Sequence, residues 1–166
     1  MPLGSDETLA LTGMMGSGKS TVAKELGRLL GRRVVSTDAL VEALARKPVE
    51  RVFAEEGEPS FRSRERWAVR GLRGPVVADL GGGAFCDPDS ASHLLRVGRV
   101  VFLDVSPREA ARRLGGGEGR PLAGRWEPLL RRRLPLYRRS PLSVAVDGLS
   151  AEAVAQKIVA LLGAEA

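Results

Sequence analysis

The stretch from Gly13 to Ser20 follows the pattern G-x-x-x-x-G-K-[ST], and no other part of the chain limits the fold as strongly. The pattern works where a buried strand ends and a helix begins, because the phosphate oxygens it holds need backbone N–H groups from a tight turn and from a helix N-terminus. The glycines let the backbone approach an anion, Lys19 supplies a flexible positive charge for the outer phosphates, and the Ser20 hydroxyl is placed for Mg²⁺. The flanks agree. Residues Thr8 to Thr12 read as a short buried strand, and residues Ser20 to Leu30 read as a helix with Val22, Leu26, Leu29 and Leu30 on one face.

Further strands are expected at Arg33 to Ser36, Pro75 to Leu80, Arg99 to Asp104 and Leu142 to Val146. Helices fall between them. One opens at Thr37 and Asp38 and runs to about Arg46, a second covers Val49 to Glu56, and a third starts with Pro59 and runs to about Arg70. Asp87 with Pro88, and Ser106 with Pro107 and Glu109, are helix starts. A helix from Trp126 to about Arg138 and a last one capped by Ser150, with Val154, Ile158, Leu161 and Leu162 on a common face, complete the pattern. Regular alternation of this kind predicts a single α/β domain spanning residues 1–166. Its five-stranded parallel sheet is covered by helices on both faces, with the ligand crevice at the carboxyl ends of the strands. Gly115 to Gly119 holds four glycines in five residues and reads as a mobile loop.

Composition narrows the class. The chain is 43% hydrophobic but only 4% aromatic, so its core is built of Leu, Val and Ala, and Cys86 as the one cysteine excludes an intrachain disulfide. A cytoplasmic location fits. The first residues carry no basic region and no long apolar run, so neither a signal peptide nor a membrane span is expected. The net charge of +6 is scattered over several helices. With few aromatic residues to stack on bases, that charge suits an enzyme that binds a polyphosphate and a second anion better than a nucleic-acid binder. Small-molecule partners and a monomer are the expectation.

Beyond the phosphate loop, four stretches stand in order: Thr37 and Asp38; Phe61, Arg62 and Glu65 as F-R-x-x-E; Gly81, Gly82 and Gly83; and Arg120-Pro121-Leu122 followed by Arg133, Pro135, Leu136 and Tyr137 as R-x-P-L-Y. In this combination the chain resembles the shikimate kinase family from about Thr8 to Leu162. The resemblance implies a three-layer P-loop kinase fold with a helical substrate-binding region at 38–73 and a mobile lid at 115–125. It implies transfer of the γ-phosphoryl group of MgATP to the 3-hydroxyl of shikimate, on the route to chorismate and the aromatic amino acids. By resemblance Arg62 and Arg133 hold the acceptor's carboxylate, Asp38 holds the reacting hydroxyl, and Gly82 and Gly83 supply close backbone. Glu65 would orient Arg62, and Phe53 and Phe61 would wall the ring. Gly16, Ser17, Gly18, Lys19, Ser20 and Thr21 would cradle the phosphates and Mg²⁺. Arg120 would reach the γ-phosphate from the lid, and Arg113 matches the position against adenine.

Asp38 also has a plain reading as the N-cap of its helix, since aspartate is favoured there. Cys86 reads as a buried small residue, and His93 faces away from the site. Three positions depart from the family pattern. Ser36 stands where an aspartate usually helps hold Mg²⁺, Asp79 where a small hydroxyl residue is usual, and the turn at Asp147 to Ser150 has no arginine. Asp79 is therefore a candidate for the outer-sphere metal role. The alternative is that it only accepts a hydrogen bond from the phosphate loop while Ser36 orders a metal-bound water. The competing functions are another small-molecule kinase on this scaffold, such as a gluconate-type kinase, and a nucleotide-binding module without catalysis.

Overall fold

The computed structural model describes residues 2–115 and 123–164. Five parallel strands, β1 (Thr8–Thr12), β2 (Arg33–Ser36), β3 (Val76–Asp79), β4 (Gly98–Asp104) and β5 (Leu142–Ala145), lie in the order β2-β3-β1-β4-β5. The helices are α1 (Lys19–Leu30), α2 (Thr37–Ala45), α3 (Val49–Glu56), α4 (Glu58–Arg70), α5 (Pro88–Val97), α6 (Pro107–Arg113), α7 (Ala123–Tyr137) and α8 (Ala151–Ala164). Among the described residues no helix is long and apolar enough to cross a membrane.

Strand residues point alternately to the two faces of the sheet. Leu9, Leu11, Val77, Val101 and Leu103 pack with Val22 and Leu26 of α1 and Ile158 of α8 on one face. Ala10, Ala78 and Val100 pack with Val69 of α4 and Leu94 of α5 on the other. A third, smaller cluster of Val41, Val52, Phe61 and Ala68 holds α2, α3 and α4 together. Those three helices stand beside the carboxyl end of β2.

Several elements differ from the sequence-based expectation. On α1 the buried stripe is Val22, Ala23, Leu26 and Gly27, while Leu29 is exposed. Gly27 is the reason: a side chain there would lie 2.7 Å from Val34, so the chain returning into β2 closes over a bare turn. On α8 Ala155 joins Val154, Ile158 and Leu162 in the core and Leu161 faces out. A 3-10 turn at Ala84–Cys86 follows the triple glycine, and Cys86 is half-buried rather than buried. Helix α4 begins at Glu58, one residue before Pro59. Helix α7 begins at Ala123, with Pro128 and Pro135 inside it on the exposed side. Residues 116–122, with Arg120 and most of the expected lid, lie outside the described residues; Arg125 stands in the first turn of α7. His93 bonds the Leu72 carbonyl at 3.0 Å, tying α5 to the end of α4.

Candidate active site

The loop after β1 turns through Gly16 and Gly18 at φ 83° and 87°, a region that residues with a Cβ enter at a cost. Gly18 is the N-cap of α1, so the first amides of that helix face the loop's concave side. Lys19 folds its ammonium back onto the carbonyls of Gly13 at 2.6 Å and Met14 at 3.2 Å. Burial pulls this amine down to about 8, against the opposing charges of Asp79 and Asp38. The Ser17 hydroxyl is buried without a partner among the described residues.

A cleft of about 490 Å³ is lined by the loop, by Ser20 and Thr21, by Ser36 and Asp38 from the β2–α2 junction, and by Asp79 to Gly82 beyond β3. Ser36 and Asp79 are register partners at the ends of adjacent strands. The Ser20 hydroxyl donates to Asp79 Oδ2 at 2.7 Å. Ser36 is the N-cap of α2, accepting the Ala39 amide at 3.2 Å. That corrects the plain reading of Asp38: the cap is Ser36, and Asp38 is the second helical residue. Asp38 Oδ1 is buried without a partner among the described residues. Burial first, then the Asp79 charge, pushes its carboxyl up.

The triple glycine gathers the remaining polar side chains. A side chain at Gly81 would lie 2.5 Å from Asp38 Oδ1 and 2.9 Å from Glu65 Oε2. One at Gly82 would lie 2.9 Å from Arg133, and one at Gly83 2.5 Å from Arg62. Four residues from three helices thus meet a backbone that only glycine permits. Arg62 donates to Glu65 Oε1 at 2.6 Å. Glu65 is buried, its second oxygen unpartnered among the described residues, and burial raises its carboxyl against the pull of Arg62. The Phe61 ring is a core residue of the α2–α3–α4 cluster rather than an open wall. Phe53 covers it at 4.5 Å and stays 37% exposed. Arg113 lines the cleft, and its guanidinium donates to the carbonyls of Ser17 at 3.2 Å and Val146 at 3.1 Å while Glu109 holds its Nε at 2.9 Å.

Three contacts were not anticipated. The Gly81 amide donates to Thr37 Oγ1 at 2.8 Å, the Tyr137 hydroxyl donates to the Gly82 carbonyl, and the Trp126 indole donates to the Met15 carbonyl at 2.9 Å. Thr37 and Tyr137 fall inside motifs already singled out; nothing in the sequence points from Trp126 to the loop.

The arrangement suits a magnesium nucleotide. Among the described residues no group of three or more His, Cys, Asp or Glu side chains could hold a metal by itself, whereas Ser20 and Asp79 offer hard oxygens beside a loop of phosphate-facing amides. Mg²⁺ bound largely through water and phosphate needs no more protein than this.

The family model described as shikimate kinase matches residues 15–163. A shikimate kinase of Limosilactobacillus fermentum is 40% identical over 163 residues, covering 93% of this chain and 94% of its own. One of Moorella thermoacetica is 42% identical, covering 90% and 91%. Among solved structures, shikimate kinase from Acinetobacter baumannii in complex with shikimate superposes with a TM-score of 0.89 at 31% identity, covering 96% of this chain and 94% of that one. A gluconokinase from Sinorhizobium meliloti reaches 0.59 at 19% identity, a likeness of fold alone. Sequence and structure agree that the chain belongs to the shikimate kinase family.

Proposed function

We propose that this cleft transfers the γ-phosphoryl group of MgATP to the 3-hydroxyl of shikimate through the following division of labour. The observation that carries it is the buried, unpartnered Asp38 Oδ1, which shares one cleft with the phosphate loop and lies beside Gly81. Bound MgATP supplies the electrophilic phosphorus and a cation that neutralises its oxygens. Gly16, Ser17, Gly18, Lys19, Ser20 and Thr21 hold the phosphates, with the α1 amides as donors. Arg113 fixes the loop from behind and faces the nucleotide. Ser20 and Asp79 would hold the metal, Asp79 through water.

Asp38 orients the acceptor hydroxyl and takes its proton, the task for which a carboxyl pushed up by burial is suited. Arg62 and Arg133 bind the acceptor's carboxylate, since guanidinium pairs with carboxylate through charge-assisted bonds. Glu65 keeps Arg62 in place, and Gly82 and Gly83 give the ring close backbone. Phe53 covers the apolar side above Phe61. Arg120, which lies outside the described residues, is assigned to the γ-phosphate by the family resemblance alone. A cytoplasmic monomer with small-molecule substrates belongs to the same reading.

The test is shikimate-dependent ADP release by the purified chain, run beside a panel of hydroxy acids that includes gluconate, with Lys19→Met as the control. Turnover restricted to shikimate and lowered at least about tenfold in Lys19→Met, a loss of roughly 1.4 kcal/mol or more of transition-state stabilisation, is the expected result. Turnover of gluconate in preference, or an unaffected Lys19→Met, overturns it.

A further inference from the structure

The Tyr137 side chain is fully buried at the end of α7. Its ring stacks on Phe102 with centroids 5.1 Å apart. Its hydroxyl donates to the Gly82 carbonyl and lies 3.7 Å from the Met14 sulfur. Burial pushes the phenol up to about 12, so it remains a proton donor at any working pH. A peptide unit is planar and trans, so a carbonyl and the following N–H point in opposite directions. The Tyr137 hydroxyl therefore fixes which way the Gly83 N–H faces. Among the described residues the amides of Gly82 and Gly83 have no hydrogen-bond acceptor. Their neighbour Gly81 differs, its amide being held by Thr37. Arg133, one helical turn before Tyr137, presses against Gly82 from the same helix.

We propose that Tyr137 is a positioning residue for the acceptor: its hydroxyl sets the Gly82–Gly83 peptide plane so that these free amides and the Arg133 guanidinium meet the acid substrate together. This rests on the reading of the site as one for shikimate. Tyr137 touches no substrate atom. It acts through the glycine backbone, which has no side chain of its own to resist rotation, and a bond to a carbonyl is what holds it. Among the described residues the hydroxyl bonds no backbone group of the phosphate loop, which it meets only at the Met14 sulfur, so its loss should bear first on the glycines.

Tyr137→Phe keeps the ring, its volume and its stacking. In steady-state kinetics of the full chain, the KM for shikimate is expected to rise about tenfold while the KM for ATP stays within about twofold. Replacing Tyr137 with 4-aminophenylalanine, which restores a donor at the same place, should recover most of the shikimate KM; 4-methoxyphenylalanine should not. Phe102→Leu provides the structural comparison, since it loosens the ring but leaves the hydroxyl. It should lower the melting temperature and leave the shikimate KM unchanged. A wild-type arm that phosphorylates shikimate establishes the underlying reading, whatever the variants do. If Tyr137→Phe leaves the shikimate KM unchanged, if both KM values rise alike, or if the amino analogue fails to recover what the phenylalanine lost, the positioning role is wrong.

Discussion

The Ser20 hydroxyl donates to Asp79 Oδ2 at 2.7 Å, and Ser36 stands directly across from Asp79 on the neighbouring strand. Ser36 spends its own oxygen on the Ala39 amide. Of the two strand ends beside Ser20, β3 brings a carboxylate and β2 a hydroxyl already engaged.

Asp79→Asn should therefore raise the Mg²⁺ needed for half-maximal rate about tenfold, the low end of what losing an outer-sphere partner costs a metal site. Adding Ser36→Asp should restore it, because the carboxylate returns one strand over. Calorimetric titration of ADP at varied Mg²⁺ gives the same comparison without turnover. An unchanged Mg²⁺ dependence in Asp79→Asn, or no rescue by Ser36→Asp, removes Asp79 from the metal site.

The α2 cap is Ser36, and the proposed acceptor's base, Asp38, is a separate residue, which a pair of variants resolves. Ser36→Ala should cost about 1 kcal/mol of stability, as cap losses do. Asp38→Asn should lower turnover about 10²–10⁴-fold, the range of general-base contributions, without lowering the melting temperature and with nucleotide binding retained. Denaturant melts beside kinetics decide; a destabilised but active Asp38→Asn would reverse the assignment.

Arg62→Ala and Arg133→Ala should each raise the shikimate KM about 10–100-fold, since each removes a hydrogen bond from a charged group. The methyl ester of shikimate is the control. Both variants should distinguish acid from ester less well than the wild type, and a variant that distinguishes them equally well is not a carboxylate ligand.

Glu65 gives the fold a pH dependence with a defined sign. Burial raises its carboxyl from the ordinary 4.5, so above that pH the folded state holds more proton than the unfolded one. Stability contributed by the protonated form is then present below the unfolded value and lost as pH rises through the folded one. Relative to Glu65→Gln, the wild type should lose stability from about pH 4.5 upward, measured by urea unfolding between pH 4 and 8. A constant difference across that range would mean that Arg62 fully compensates the burial.

Trp126, bonded to the Met15 carbonyl, and Trp67, 62% exposed, are the two tryptophans. In Trp67→Phe the remaining emission should be blue-shifted and should change when ADP fills the loop, with little response to shikimate alone. An emission maximum like that of free tryptophan would contradict the buried contact.

Much of this was legible in the residues. Gly13 to Ser20 placed the first strand and helix, and Arg62, Glu65 and Arg133 meet around the glycines that were named with them. What escaped reading was mostly contact between a side chain and backbone. Spacing on a helix shows a face, but not which carbonyl that face will meet, so Trp126 and the Tyr137 hydroxyl had no signal of their own. Leu29 and Leu161 misled because a helical stripe of four apolar residues fits several rotations. The choice among them falls to the partner surface, here the bare turn at Gly27. The cap at Ser36 was hidden because Ser-Thr-Asp offers three residues able to cap and only the geometry selects one.

Helix α7 carries Trp126, Arg133 and Tyr137 at spacings of seven and four residues, which puts all three on one stripe. One end of that stripe is bonded to the phosphate loop and the other to the triple glycine. Inserting or deleting a single residue between 126 and 137 would rotate the far half by about 100° and part the guanidinium from its glycine. Length variation among related chains should therefore collect before Trp126 and after Tyr137. Within α7 itself the spacing is a fixed gauge between the two substrates, and substitution is the only change it can absorb.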